Sequence, residues 1–200
     1  MSPGLKHRRA DMKSAPTILP IAFGDREDKE RRSAYIPPMH PALGILIFLA
    51  AIVAMEGVAY AMHRWVMHGP GWVLHRSHHR PGGRLEANDL YALVFAAPSV
   101  LLIYGGMNRG WGEWAVWLGA GIAAYGLIYF GFHDLIVHKR IGHRFVPRSR
   151  YLRRIVQAHR LHHAVEERDG AVSFGFLWAP PPERLKAELD PAQLRMPAGR

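Results

Sequence analysis

The chain has 200 residues, of which 49% are hydrophobic, yet its mean hydropathy is only -0.08, so very apolar stretches must alternate with very polar ones. It contains no cysteine, which excludes disulfides, thiolate zinc sites, cysteine-ligated iron–sulfur clusters and cysteine nucleophiles. Its formal charge of +10 suits nucleic acid and an anionic membrane face equally well until the positions of the charges are considered.

Residues 1–40 form a polar segment with eight basic and five acidic residues, which we predict to be a disordered or weakly attached tail. Three apolar runs follow, at about 42–62, 90–107 and 111–132. About 20 helical residues span the hydrocarbon core of a bilayer. The sequence therefore predicts an all-α integral membrane helical bundle over 41–182, followed by a C-terminal tail over 183–200. Pro98 in the second run leaves a re-entrant segment open as an alternative.

The distribution of charge predicts the orientation of these runs. If each run crosses once, the loop 63–89 and the segment 133–200 lie on the same side of the membrane. That side carries 17 basic residues, against nine on the other. By the positive-inside rule it is cytoplasmic.

Ten of the thirteen histidines form four clusters, in the order H-x4-H and H-x2-H-H, which then repeats. The clusters are His63 and His68; His75, His78 and His79; His133 and His138; and His159, His162 and His163. Each H-x4-H begins directly after an apolar run, which predicts imidazoles just beyond the hydrocarbon boundary. In H-x2-H-H the three imidazoles share one helical face. Positions i and i+5 of H-x4-H differ by about 140° on an ideal helix, so a local irregularity would help both to flank one cluster.

Ten imidazoles exceed the needs of one tetrahedral zinc ion and suit two metal ions, each with a position left for oxygen or water. Imidazole binds zinc, copper, iron and nickel, so the ligands do not select the metal. A non-catalytic membrane protein that binds or transports a metal stays open as an alternative. Three carboxylates could orient a histidine: Glu56, Asp89 and Asp134. For Glu56 a place on the substrate route or a packing role is equally open, and for the other two a solvated or helix-capping role.

The histidine pattern resembles the membrane di-iron superfamily of fatty-acyl desaturases, sterol and fatty-acid hydroxylases and carotenoid hydroxylases. Between about Met55 and Pro182 the chain closely resembles the bacterial beta-carotene hydroxylases, in segments that include HRWVMHGPGWVLHRSHH, HDLIVHKR and FVPRSRYLRRIVQAHRLHHAVEERDG. Two features depart from this family: the long N-terminal tail, and Arg80, where an acidic residue is expected after the histidine pair.

The resemblance implies oxygen-dependent hydroxylation of the beta-ionone rings of beta-carotene at C3, giving beta-cryptoxanthin and zeaxanthin. It further implies two iron ions held by the ten histidines, with no separate catalytic residue. O2 would be the co-substrate, and electrons would come from an external ferredoxin and NAD(P)H reductase chain. Expected partners are a carotenoid in the bilayer, a ferredoxin-type donor and anionic lipids, but no nucleic acid. The expected location is the bacterial inner membrane. A related fatty-acid or sterol hydroxylase and a carotenoid ketolase stay open as alternatives.

Overall fold

The computed structural model describes residues 39–80, 83 and 85–193. Within these residues the chain forms α-helices and no β-strand, so the all-α prediction is confirmed. The α-helices are α1 (Pro41–Ala61), α2 (Trp72–His79), α3 (Leu90–Asn108), α4 (Glu113–Tyr129), α5 (Arg150–His162) and α6 (Pro182–Glu188). The predicted N-terminal tail lies, except for its last two residues, outside the described part of the chain.

Three long helical stretches carry the apolar runs. The helix α1 continues into a π-helical segment, Met62–Met67, and α4 into another, Phe130–Val137. The resulting stretches, together with α3 and its preceding turn, have 27, 22 and 25 residues, and each is long and apolar enough to cross a membrane. The helix α3 continues unbroken through Pro98, so this residue does not create a re-entrant segment.

The outer surface of this bundle is apolar. Val53, Met107 and Leu127 are each at least 70% exposed. A large exposed apolar surface of this kind is unfavourable in water, whereas lipid tails are as apolar as the side chains themselves. The chain is therefore a membrane protein.

The inner surfaces of the bundle are packed closely through small residues. A Cβ atom on Gly121 of α4 would lie 2.6 Å from the carbonyl oxygen of Phe48 in α1. The hydroxyl of Ser99 in α3 donates a hydrogen bond of 2.8 Å to the carbonyl oxygen of Gly119. Glycine at these positions lets the three helix backbones approach one another, as is common in membrane bundles.

The polar region after the third span is built around α5. Its first turn is capped by Ser149, whose hydroxyl accepts a hydrogen bond of 3.1 Å from the N–H of Leu152. A small core lies beside α5 and contains Ala158, Val165, Val172, Ala179, Leu185 and Leu189. Leu185 belongs to α6 and is fully buried. The segment predicted as a tail from 183 onwards therefore begins with residues that pack against the rest of the fold.

Candidate metal centre

The structure brings all ten predicted histidines together in two adjoining groups of five. Cluster 1 contains His63, His68, His75, His79 and His162. Cluster 2 contains His78, His133, His138, His159 and His163. Within each cluster one ring nitrogen of every histidine lies within 4.8 Å of the others. The clusters touch, since the rings of His79 and His163 stack with their centroids 4.5 Å apart.

Each cluster combines the two halves of the sequence repeat. Cluster 1 takes four histidines from the first half and His162 from the second, whereas cluster 2 takes four from the second half and His78 from the first. Helix geometry explains why the H-x2-H-H motif is split. Its first and last histidines are four residues apart and lie almost in line along the helix, whereas its middle histidine is rotated to one side. Two helices carrying this motif can therefore exchange one ligand each.

Each H-x4-H pair begins within a π-helical segment and ends at the residue that caps it, His68 in the first and His138 in the second. The backbone N–H of His68 donates to the carbonyl oxygen of His63 at 3.0 Å, and that of His138 donates to His133 at 2.9 Å. This hydrogen bond joins residues i and i+5, so it places them one above the other on the same side of the helix. The local irregularity expected for H-x4-H is thus a widened, π-helical turn, which follows α1 in the first pair and α4 in the second.

In cluster 1 every imidazole uses its Nδ1 atom to bond a neutral oxygen. The five Nδ1–H groups donate from His63 to the Phe174 carbonyl (3.1 Å), from His68 to the Arg168 carbonyl (2.7 Å), from His75 to Asn88 Oδ1 (2.7 Å), from His79 to the Val165 carbonyl (2.8 Å) and from His162 to the Val172 carbonyl (2.9 Å). Two of these carbonyls flank Ser173, whose φ of 61° is in the left-handed region. The residue with this left-handed backbone conformation thus lies between two carbonyls that each bond a ligand of cluster 1.

In cluster 2 two of the five imidazoles, those of His78 and His133, have a carboxylate beside Nδ1 instead. His78 donates its Nδ1–H to Glu86 Oε2 at 2.8 Å, and the two side chains are only 1% and 7% exposed. Asp134 Oδ2 lies 3.5 Å from His133 Nδ1. Burial raises the pKa of the Glu86 carboxyl, and the neighbouring Arg140 guanidinium opposes that rise.

Arg140 holds these carboxylates together. Its guanidinium pairs with Glu86 at 2.7 Å, with Asp89 at 2.7 Å and with Asp134 at 2.9 Å. It lies two residues after His138, at the end of the third helical stretch. Arg140 therefore connects that end to the turn that begins the second span.

Burial keeps the imidazoles outside the spans neutral. It lowers the pKa of His75 to about 3, that of His138 to about 3 and that of His79 to about 4. Four further imidazoles have a pKa well below the usual value, because they are buried and, to a smaller extent, because other imidazoles lie beside them. They are His78, His159, His162 and His163. Neutral imidazole is the form that binds a metal.

The donor atoms fit a pair of divalent metal ions. An imidazole whose Nδ1 carries the proton presents a lone pair at Nε2. The Nε2 atoms of His68 and His162 lie 3.2 Å apart in cluster 1, and those of His78 and His133 lie 3.0 Å apart in cluster 2. Two lone pairs at this separation repel each other, and a cation bound by both balances the repulsion. A metal–nitrogen distance near 2.1 Å places neighbouring ligand atoms about 3 Å apart.

The three carboxylates singled out in the sequence take different places. Asp134 lies beside His133, as described above. Asp89 bonds Arg140 and accepts a hydrogen bond of 3.0 Å from the N–H of Glu86. Glu56 bonds Tyr125 and a loop segment, Phe176–Trp178, instead of an imidazole.

The histidine pattern did not point to Glu86 and Asn88, which bond His78 and His75. Both lie just before α3, where Glu86 and Asp89 form a reciprocal capping box. The polar run Glu86–Asp89 directly before an apolar stretch was a capping signal that could have drawn attention to them. It gave no indication that Glu86 and Asn88 contact the histidines, because that contact depends on how these residues are placed relative to α2.

Arg80, which departs from the resemblance, has a clear place in the structure. It pairs with Glu167 and, at 3.6 Å, with Glu166. These residues follow Val165, whose carbonyl bonds His79. Arg80 therefore links the end of α2 to the segment whose Val165 carbonyl orients His79, the residue before Arg80.

A cavity of about 470 Å³ joins the metal centre to the interior of the bundle. His63 of cluster 1 and two histidines of cluster 2, His133 and His159, line one part of it. The remaining wall is mainly apolar and aromatic and includes Met55, Tyr91, Phe95, Val100, Ile122 and Phe176. Ala96 and Ala123 belong to this wall and are also exposed on the outer surface, so the cavity opens sideways towards the lipid.

The fold and the site define a helical membrane protein with two adjoining five-histidine clusters at the end of an apolar cavity. The family model for fatty acid hydroxylase matches residues 48–180. The chain belongs to this family, and the predicted superfamily membership is confirmed. The family and the histidine clusters are together consistent with iron as the bound metal.

The chain is similar to several curated relatives. A beta-carotene hydroxylase of Pantoea ananas is 52% identical over 146 residues, which cover 72% of this chain and 82% of that protein. A beta-carotene hydroxylase of a Paracoccus species is 52% identical over 149 residues, covering 72% of this chain and 89% of that protein. The chloroplastic beta-carotene 3-hydroxylase 1 of Arabidopsis thaliana is 37% identical over 135 residues, covering 66% of this chain and 43% of that protein. No solved structure matches the chain.

Proposed function

We propose that this protein hydroxylates the beta-ionone rings of beta-carotene at C3, using O2 and two iron ions bound by the histidine clusters. The products are beta-cryptoxanthin and then zeaxanthin. The observation that carries this proposal is the cavity, which joins histidines of both clusters to the lipid-facing part of the bundle. The substrate named in the relatives is a hydrocarbon that resides in the same bilayer.

The cavity suits one end of such a molecule. Its volume of about 470 Å³ lies within the range of pockets that enclose small ligands. Its wall offers few polar groups, so a ring of carbon and hydrogen loses no hydrogen bonds on entering. The sideways opening at Ala96 and Ala123 leaves room for the polyene chain to stay in the lipid.

The reaction defines what the chain must supply. Each hydroxylation consumes one O2, two electrons and two protons, inserts one oxygen atom into a C–H bond and releases one water. The bound iron supplies the activation of O2 that an unreactive C–H bond requires, since ordinary acid–base groups have no means of attacking it. The neutral imidazoles would bind the metal. The apolar wall of the cavity would exclude bulk water and orient the ring.

We further propose that the two electrons come from a ferredoxin-type protein that docks on α5. Arg150, Arg153 and Arg160 are exposed on this helix, which also carries ligands of both clusters. A positive surface beside the metal centre attracts an acidic redox protein and steers its approach. Anionic lipid headgroups would bind the same side of the membrane.

The metal centre is proposed to face the cytoplasm of a bacterial cell, at its inner membrane. The loop 63–89 and the segment 133–163 share one site, so they share one side of the bilayer, and this side carries most of the basic residues. Because the chain has no native cysteine, single-cysteine variants at Arg76 and Arg153 report cleanly on topology. Both should be shielded from an impermeant maleimide added to intact spheroplasts and become labelled after lysis. Labelling of either before lysis would contradict the proposed side.

The decisive experiment is expression in a bacterium that accumulates beta-carotene, followed by chromatography of the pigments and metal analysis of the purified protein. The wild-type chain should form beta-cryptoxanthin and zeaxanthin. The variant His162→Ala should form neither and lose metal. Ala123→Phe, which fills the cavity mouth, should lose activity but keep its metal, whereas Leu93→Phe, on a lipid-facing position of α3, should retain both.

Other outcomes identify the alternative functions. Canthaxanthin would indicate a ketolase, and unchanged pigment with altered membrane lipids would indicate a fatty-acid or sterol hydroxylase. Metal binding without substrate-coupled O2 consumption would indicate a non-catalytic metal protein. Any of these three results would overturn the proposed reaction.

A further inference from the structure

The two clusters differ in the groups that stand behind their imidazoles. In cluster 1 all five Nδ1–H groups donate to neutral oxygens, four of them backbone carbonyls and the fifth the amide of Asn88. In cluster 2 the Nδ1 of His78 bonds the buried carboxylate of Glu86, and that of His133 lies beside Asp134. A carboxylate partner makes an imidazole a more basic ligand and fixes the orientation of its ring.

The fixed charges around the clusters differ in the same direction. Glu86, Asp89 and Asp134 surround a single cation, Arg140, so this group of four side chains carries two net negative charges when ionised. It adjoins cluster 2 through His78 and His133. The charges of Glu86 and Asp134 offset those of a divalent ion, and little water screens them because their side chains are only 7% and 13% exposed.

The charged group beside cluster 1 is more exposed and does not bond its imidazoles. It comprises Asp169, near His68, and Arg80, near His79, which pairs with Glu166 and Glu167. The side chains of Asp169, Arg80, Glu166 and Glu167 are 77%, 49%, 33% and 69% exposed. Water therefore screens these charges more than the carboxylates of Glu86 and Asp134 beside cluster 2.

We propose that cluster 2 binds its metal ion more tightly than cluster 1, and that Glu86 is the positioning residue that produces this difference. This inference rests on the two-metal centre of the proposed function but not on the identity of its substrate. Partners of this kind typically change metal affinity by about 10- to 100-fold. Burial alone would not make cluster 2 the tighter metal site, since four of the five histidines are buried in cluster 1 and only three in cluster 2.

The affinities can be measured with Zn²⁺ alone, which has no redox chemistry. The full chain in detergent is stripped of metal, equilibrated with buffers of graded free Zn²⁺, and analysed for bound zinc per chain. The wild type should fill in two steps of one ion each. The midpoints of the steps should lie about 10- to 100-fold apart in free Zn²⁺.

Two variants of matched shape assign the steps. Glu86→Gln keeps the size of the side chain but removes its charge, so it should weaken only the tighter step, by about 10- to 100-fold. Asn88→Asp places a carboxylate behind His75 of cluster 1 and should tighten only the weaker step. Glu113→Gln, at an exposed position in the first turn of α4, should leave both steps unchanged. Gel filtration of each variant shows whether it has folded, and either of the first two variants can test the proposal without the other.

The results separate this inference from the proposed reaction. Two equal steps in the wild type would overturn it, and so would an effect of Glu86→Gln on the weaker step alone. Saturation at one ion per chain would overturn the two-metal centre and the inference with it. A failure to hydroxylate beta-carotene together with two unequal zinc steps would overturn the proposed substrate and leave the inference supported.

Discussion

Glu56 provides a sensitive test of how the loop beside the metal centre is held. Its Oε1 atom accepts hydrogen bonds from the N–H groups of Phe176, Leu177 and Trp178 at 2.6, 2.8 and 3.2 Å, and its Oε2 atom accepts one from the Tyr125 hydroxyl at 2.8 Å. The carbonyl of Phe174, two residues before this loop segment, bonds His63. We expect Glu56→Ala to destabilise the fold and to loosen cluster 1.

The size of the effect follows from these contacts. The N–H groups of Phe176 and Leu177 are partly buried, and each unpaired donor costs about 1–3 kcal/mol. Glu56→Ala should therefore lower the free energy of unfolding by about 2–6 kcal/mol. For a chain of this length that corresponds to a fall in Tm of roughly 5–20 °C. Glu56→Gln keeps an oxygen acceptor for the loop and should lose less than half as much.

The measurement is thermal unfolding in detergent, combined with metal analysis of the purified variants. Glu113→Ala is the matched control, because Glu113 is exposed in the first turn of α4 and should leave Tm within about 1–2 °C of wild type. A Glu56→Ala protein with unchanged Tm and metal content would refute the view that this carboxyl holds the loop.

Two further predictions concern pH and helix packing. The folded-state pKa values of His75 and His138, both about 3, lie below the unfolded value of about 6.5, so falling pH favours the unfolded chain. The metal-free protein should thus be most stable above pH 6.5 and lose stability steadily towards pH 4; a flat Tm over this window would contradict the burial of neutral imidazoles. Gly121→Ala should lower stability by about 1–3 kcal/mol, because its Cβ would meet Phe48 at 2.6 Å. Gly57→Ala, with open space around the new Cβ, should be neutral or stabilising by up to about 1 kcal/mol in the same thermal assay.

The spans could be predicted from the sequence because each depends on a local property. An apolar run of about 20 residues has few alternatives to crossing a membrane. The positions of His63 and His133 directly after such runs predicted ligands near the ends of the spans, and the structure has both within the last five residues of a long helical stretch. Spacing also predicted that His75, His78 and His79 lie on one face of a helix; all three lie on α2, but His78 joins cluster 2 whereas His75 and His79 join cluster 1.

The division of the ligands between the clusters could not be predicted in this way. His78 and His162 each belong to the cluster that the other half of the repeat mainly forms, and this depends on the relative rotation of α2 and α5. Rotation of one helix against another is a tertiary property that periodicity does not contain. The same limit applies to the contact between His78 and Glu86, since the six residues that separate α2 from Glu86 in the sequence are compatible with many relative positions.

The exchange of His78 and His162 between the clusters couples metal binding to the folding of the chain. His68 and His162 of cluster 1 are 94 residues apart in the chain, and His78 and His133 of cluster 2 are 55 apart. An ion bound in either cluster therefore closes a long loop and joins the segment after α1 to the segments after α4. Closing long loops removes much of the conformational entropy of the unfolded chain. Because neither half of the repeat supplies a complete cluster, metal binding is coupled to the association of the two halves, and the bound metal stabilises that association.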